Sequence, residues 1–242
     1  VQTCALPISP QGTVLSPLLY IYTDTIRSSV ANVKILKYAD DTVLLGNISV
    51  HDDFENYCDE ISRICAVCTD HELLLNGSKT KEIVFTTSRE TPDVPLISIS
   101  NHTVPLSDSV KYLGVEIDSK LRFSEQADVV STKCKQRLYI IKRFIFLGAE
   151  QSLVNQIFRT FIESYIFYCA IIYYHNMYEK DKKCFRKIYS IANYMGANVD
   201  NIDSKIQKRF AKYAMTIFHD DKHPIHQYYS KLPSGRLCAY KS

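Results

Sequence analysis

The sequence predicts an α+β fold, in which an antiparallel sheet with packed helices is followed by an all-helical half. Three observations carry that expectation. Val33 to Tyr38 (V-K-I-L-K-Y) alternates apolar and basic residues, and Thr42 to Leu45 (T-V-L-L) is β-prone before Gly46 breaks the run, so this stretch reads as strand, turn, strand. From about Phe123 onward the apolar period becomes helical. Charge shifts at the same place. Residues 1 to 122 hold 10 Lys and Arg against 16 Asp and Glu, a net of −6, while residues 123 to 242 hold 19 against 10, a net of +9.

The elements follow in order. Ser16 is placed to cap a helix and Pro17 to occupy its first position, so a helix should run to about Arg27. The strand-turn-strand comes next, with Asp40 and Asp41 expected in the turn. From about Asp52 to Leu74, Phe54, Tyr57, Cys58, Ile61, Ile64, Cys65 and Cys68 recur at helical spacing. Leu75 to Lys81 (L-N-G-S-K-T-K) is a turn leading into a strand at Ile83-Val84-Phe85, and Thr91 to Pro95 is a loop. Further β structure is expected at Ile97 to Ile99 and from Tyr112 to Ile117. Helices are then expected near Ser124 to Phe146, Glu150 to Tyr174, Glu179 to Met195 and Asn201 to Phe218. Gly148 and Gly196 stand where helix stops belong. The chain divides into 10–122, 123–222 and an irregular tail, 223–242. Residues 1–9 sit apart: Val1 to Ile8 (V-Q-T-C-A-L-P-I) reads like the translation of a sequencing adapter and is expected to be non-native.

Composition narrows the function classes. With 242 residues, 46% of them hydrophobic, and 17 tyrosines, the chain has ample material for one or two domains. Ser164 to Tyr174 is too short and too tyrosine-rich for a membrane span, which needs about 20 residues, so it reads as a buried helix and no membrane partner is expected. The eight cysteines lack the spacing of a disulfide framework, and reduced thiols in an intracellular setting are expected. Cys65-Ala66-Val67-Cys68, with Cys58 and His71 nearby, falls on the helical apolar face, where cysteine acts as a small hydrophobe and not as a zinc ligand. His219, His223 and His226 have loose spacing and no cysteine partner, which argues against a metal site there too.

The chemistry concentrates in Tyr38-Ala39-Asp40-Asp41. Asp is an ordinary turn residue, because its side chain bonds nearby backbone groups. Two adjacent carboxylates also repel each other unless a cation neutralises them, and Asn-Gly or Asp-Gly would turn a hairpin more readily. Mg²⁺ is the natural partner, since it prefers oxygen ligands and takes one or two carboxylates together with substrate phosphates. Spacing alone leaves both readings open.

Company decides between them. Gln11-Gly12-Thr13-Val14-Leu15-Ser16-Pro17-Leu18-Leu19, then Y-A-D-D, then Leu75 to Lys81, then Val110-Lys111-Tyr112-Leu113-Gly114-Val115-Glu116-Ile117-Asp118 stand in an order that closely resembles the reverse transcriptases of LINE-type (non-LTR) retrotransposons, jockey-like elements above all. The resemblance runs from Pro10 into the C-terminal helices. It implies a partial polymerase palm over 10–122 followed by an all-helical thumb and extension over 123–222. It implies that Gln11 and Gly12 lie against the template base and incoming nucleotide, with Tyr38 beside them. Asp40 becomes a metal-binding catalytic aspartate, Asp41 its supporting neighbour, and Lys79 a catalytic lysine near the triphosphate, in a turn shaped by Asn76. Tyr112, Leu113 and Gly114 become the hairpin that grips the primer end. Implied cofactors are Mg²⁺ or Mn²⁺; implied partners are an RNA template, a DNA primer and dNTPs, with oligomeric state left open and nuclear access at some stage. The family's third carboxylate lies on a strand N-terminal to the Gln-Gly segment, so the 242 residues read as the C-terminal half of a polymerase core. Asp24 is not expected to replace it.

The basic half should meet nucleic acid. Its positive charges cluster on three expected helices: Lys133, Lys135, Arg137, Lys142 and Arg143; Lys180, Lys182, Lys183, Arg186 and Lys187; and Lys205, Lys208, Arg209 and Lys212. A charged run is also an ordinary solvated helix face. Two functions follow: an RNA-directed DNA polymerase working by two-metal nucleotidyl transfer, expected to be inactive as this piece alone, or a non-catalytic template-primer-binding remnant of a decayed element.

Overall fold

The computed structural model describes residues 2–3, 26–39, 41–49, 51–86, 94–99, 102–231 and 237–239. Helices mix with small antiparallel sheets, and the chain forms two compact units, Val1–Lys120 and Leu121–Ser242. The helix expected from Ser16 lies outside the described residues except at its end, where Ile26 and Arg27 are irregular.

In the first unit, β1 (Gln2–Thr3), β2 (Val33–Tyr38) and β3 (Asp41–Gly46) form an antiparallel sheet in the order β1-β3-β2. Tyr38 pairs with Asp41 and Val33 with Gly46, while Gln2 and Thr3 pair with Thr42 and Asp41. Helix α1 (His51–Asp70) buries Ile61, Ile64 and Cys68. These fall at the three- and four-residue steps that put side chains on one helix face. Ile64 and Cys68 join Ile26 and Leu73 in one core cluster, and Ile61 joins Ile97, Ile99 and Val104 in another. Leu44 of β3 packs against both, so the helix holds the hairpin from behind. The cysteines of α1 lie as the spacing suggests: Cys68 is buried in the core, Cys65 packs half-buried against the core, and Cys58 is half-buried.

A 3₁₀ turn (Gly77–Lys79), the short hairpin β4 (Ser98–Ile99) and β5 (His102–Thr103), and the hairpin β6 (Ser109–Tyr112) and β7 (Val115–Asp118) complete this unit. The strand expected at Ile83–Phe85 does not form. Only Glu82 makes a bridge, parallel, to Leu106, and the next three residues run along the lining of a cavity. β-propensity measures fit to a pleated surface; it does not supply the neighbouring strand.

The second unit is helical. Helix α2 (Ser124–Phe146) buries Ala127, Val130, Cys134, Leu138 and Ile141, and packs on α6 (Glu179–Tyr194) and α3 (Gln151–Phe158). Burial raises the Cys134 thiol to about 12, so it is inert at neutral pH. Gly148 and Gly196 end α2 and α6 as expected. At each, the glycine lies at positive φ (79° and 96°), and paired bonds close the helix: Ala149 N–H to Phe144 O with Gly148 N–H to Ile145 O, and Ala197 N–H to Ala192 O with Gly196 N–H to Asn193 O. Helix α7 (Ile202–His219) starts at Asn201, whose side chain accepts the Asp203 N–H at 2.8 Å.

The single helix expected over Glu150 to Tyr174 is instead broken. Helix α3 passes into a π turn (Arg159–Glu163), then α4 (Ser164–Phe167), a left-handed residue at Cys169 (φ 54°) and α5 (Ala170–Tyr173). The cause is visible in the buried residues Val154, Phe158, Ile162, Ile166 and Ala170. They recur every four residues, and at 3.6 residues per turn that spacing drifts about 40° per step. A wider π turn brings the stripe back to the core. The tail expected to be irregular from His223 holds a 3₁₀ turn (His226–Tyr228) and a hairpin of β8 (Tyr229–Lys231) and β9 (Leu237–Ala239). Among the described residues, no helix is long and apolar enough to cross a membrane.

Candidate active site and nucleic-acid interface

Tyr38 pairs with Asp41, so β3 begins at Asp41 and the turn of the β2–β3 hairpin lies before it. Asp41 therefore belongs to strand β3 and not, as expected, to the turn. Ala39 has φ 53°, a conformation that costs an L-residue roughly 1–2 kcal/mol. Such a cost persists only where the surrounding structure imposes it, often at functional sites. Tyr38 stands 62% exposed at the hairpin's end, and Asp41 is half-buried. Asp40, Gln11 and Gly12 lie outside the described residues.

The β6–β7 hairpin repeats the device. Tyr112 pairs with Val115 across a two-residue turn in which Leu113 (φ 46°) and Gly114 (φ 82°) are both left-handed, as in a type I′ turn. Glycine is at home there, whereas leucine is a rare choice. Tyr112 is linked electrostatically to the first hairpin. Its hydroxyl is held above the ordinary tyrosine range, chiefly by burial and secondarily by the charge of Asp41. Thr42 and Val43 of β3 share with Tyr112 and Ile117 an apolar cavity of about 810 Å³.

Asn76 builds the Lys79 turn. Its side-chain oxygen accepts the Lys79 N–H at 3.2 Å and the Ser78 hydroxyl at 2.8 Å, while its carbonyl accepts the Thr80 hydroxyl at 2.9 Å. Gly77 is required by closeness: a Cβ there would stand 2.7 Å from the Ile99 carbonyl oxygen and 2.9 Å from His102 Cβ. The turn is thus fixed from below, and Lys79 is exposed at its end.

The pattern of the sequence pointed to neither Glu82 nor Tyr57. Both line the cavity; burial raises the Glu82 carboxyl, and it raises the Tyr57 hydroxyl to about 12 with help from the charge of Glu82. The one legible signal was Glu82's position at the start of an apolar run. Among the described residues, no group of three His, Cys, Asp or Glu is arranged to hold a metal ion. Asp41 contributes one hard oxygen donor of the kind Mg²⁺ takes.

The structure sorts the basic clusters of the second unit. Lys133 and Arg137 lie over the Tyr165 ring, at 5.2 and 4.5 Å from its centre, and Arg137 also donates to the Phe161 carbonyl at 2.5 Å. Arg186 binds Asp203 at 2.7 Å and pairs with Glu179. Lys205 pairs with the buried Glu163, which also accepts from the Tyr189 hydroxyl at 3.1 Å. Arg209 covers the Phe167 ring at 4.2 Å. These cations hold helices together. By contrast Lys135, Lys142, Arg143, Lys183, Lys187, Lys208 and Lys212 are exposed and form no ion pair among the described residues. Glu163 was missed as a partner, although a lone carboxylate inside the apolar run Phe161 to Phe167 is a readable sign of a buried pair.

Residues 7–117 match the family described as reverse transcriptase (RNA-dependent DNA polymerase). The chain is 29% identical over 150 residues to a probable RNA-directed DNA polymerase from transposon X-element of Drosophila melanogaster, covering 60% of this chain and 16% of that protein. The chain is similar to the reverse transcriptases of jockey-like non-LTR elements. A second similarity, to the RNA-directed DNA polymerase from mobile element jockey of Drosophila funebris, is 24% identity over 220 residues and reaches 82% of this chain and 24% of that protein. The jockey polymerase of Drosophila melanogaster is 27% identical over 127 residues, 48% of this chain and 13% of that protein. The chain thus spans about a quarter or less of these relatives. No solved structure matches. The family match spans the turns of both hairpins and the Lys79 turn, and the alignment with the Drosophila funebris protein extends over most of the chain.

Proposed function

We propose that this chain is the C-terminal palm and thumb portion of an RNA-directed DNA polymerase that extends a DNA primer on an RNA template. The observation that carries the reading is the pair of strained two-residue hairpins, Tyr38–Asp41 and Tyr112–Val115, joined by the field of Asp41 at Tyr112. A catalytic carboxylate and a primer-holding turn would need that proximity. The relatives named as RNA-directed DNA polymerases support the same reading. Asp40 and Asp41 are the residues that would hold Mg²⁺ or Mn²⁺, which when bound supplies activation of the primer 3′-hydroxyl and stabilisation of departing pyrophosphate. Lys79, exposed at the end of its braced turn, would neutralise triphosphate charge, and by the family resemblance Gln11 and Gly12 would meet the template base and nucleotide. The exposed lysines and arginine of the second unit are the backbone contacts.

On this reading a third carboxylate comes from a strand outside the 242 residues. The 242-residue chain should bind a primed RNA template, more weakly as salt rises, and should incorporate no dNTP with Mg²⁺. Robust incorporation by this chain in a primer-extension assay would refute the division of the site.

A further inference from the structure

The end of α2 carries a face that the second unit leaves open. Val130, Cys134, Leu138 and Ile141 point into the core. Turned away from them, Lys135, Tyr139, Lys142 and Phe146 follow at steps of four, three and four, one continuous stripe along the helix. Tyr139 is 64% exposed, Phe146 82% and Leu147 78%. The glycine-closed end at Gly148 fixes Phe146 and Leu147 at the helix tip, with open space beside the glycine. Lys135, Lys142 and Arg143 flank the rings and, unlike Lys133 and Arg137, form no ion pair or ring contact among the described residues.

We propose that this stripe is a stacking platform for an unpaired stretch of RNA; the proposal rests on the nucleic-acid reading above and narrows the form of RNA bound at this face. Exposed aromatic rings interleaved with unengaged cations match a strand that presents base faces and phosphates together. A duplex presents phosphates but keeps its base faces stacked inside, which would leave Tyr139 and Phe146 unmatched. A second copy of this chain would set Lys135, Lys142 and Arg143 against their own kind, a repulsive arrangement. Seven residues of helix place Tyr139 and Phe146 about 10.5 Å apart along the axis, room for about three base steps of roughly 3.4 Å.

The test measures binding of the 242-residue chain to three probes of equal length: a labelled single-stranded oligo(A) RNA, its abasic counterpart, and an RNA–DNA duplex. Tyr139→Ala and Phe146→Ala should each weaken oligo(A) binding about tenfold, leave abasic and duplex binding within about twofold, and leave the melting temperature unchanged. Tyr139→Phe should restore binding, and Tyr139→Leu, which keeps apolar bulk without a ring, should not. Equal losses on duplex and single strand, or no loss on either, would overturn the platform while leaving the polymerase reading intact. A dimer of the chain that Phe146→Ala disperses would assign the face to self-association and overturn it too. Failure of the parent chain to bind any of the three probes would refute both.

Discussion

Gly77 and Glu60 show how single residues brace the candidate site. Nothing is left-handed about Gly77; it is glycine because the Ile99 carbonyl and His102 crowd the place a Cβ would take. Gly77→Ala should therefore destabilise the first unit by about 1–3 kcal/mol, the usual range for overpacking, read as a lower urea midpoint. Glu60, only 2% exposed, accepts the Ser29 N–H and hydroxyl at 3.0 and 2.7 Å and two Arg63 bonds at 2.8 and 2.9 Å. The Arg63 guanidinium, followed by the Ser29 bonds, brings its carboxyl from 4.5 down to about 2. A carboxyl depressed in the folded state stabilises fully above its unfolded value and loses that contribution as pH falls from about 4.5 to about 2. Glu60→Gln should cost about 1–3 kcal/mol at pH 7, with the difference from the parent shrinking toward zero by pH 2 in urea titrations. A parent–variant difference that is flat with pH would contradict the assignment. The sequence could not have exposed this cluster, because Ser29 lies 31 residues from Glu60 and neither belongs to a motif.

At the scale of elements, the residues that repeat at a regular period were legible and those governed by a distant partner were not. Helix α2 was readable from Ser124 to Phe146 because its buried residues keep a three- and four-residue rhythm and a glycine closes it. The broken helix after Glu150 was not, since Phe161 to Tyr174 is apolar on nearly every side and a π turn leaves the composition unchanged. The hairpin at Tyr38 was found, but its turn was placed one residue late; the register is decided by Tyr38 pairing with Asp41, which alternation alone does not count. Ile83 to Phe85 read as a strand from propensity and failed for want of a neighbour. Around the candidate site, the turn shaped by Asn76 and the hairpin at Tyr112 were legible through the family resemblance, whereas Glu82 and Tyr57 depend on a cavity that forms only in three dimensions.

Over the whole chain, sequence showed the acidic and basic halves, and structure showed which cations are available. Only side chains not engaged by the fold can release counterions from nucleic acid. Lys135→Ala, Lys142→Ala and Arg143→Ala should each flatten the slope of log affinity against log salt by about 0.7–0.9, without lowering the melting temperature. Arg186→Ala and Lys205→Ala should do the reverse, lowering the melting temperature through loss of the Asp203 and Glu163 pairs and leaving the slope unchanged. A salt slope that responds to Lys205 as strongly as to Lys142 would mean the division is wrong. The most direct test of the central claim is primer extension on an RNA template by a complete parent protein carrying Asp40→Asn, with template-primer binding measured in parallel. Extension abolished while binding is retained is the predicted result; polymerase activity that survives the substitution would contradict the assignment of the Tyr38–Asp41 hairpin as the catalytic centre.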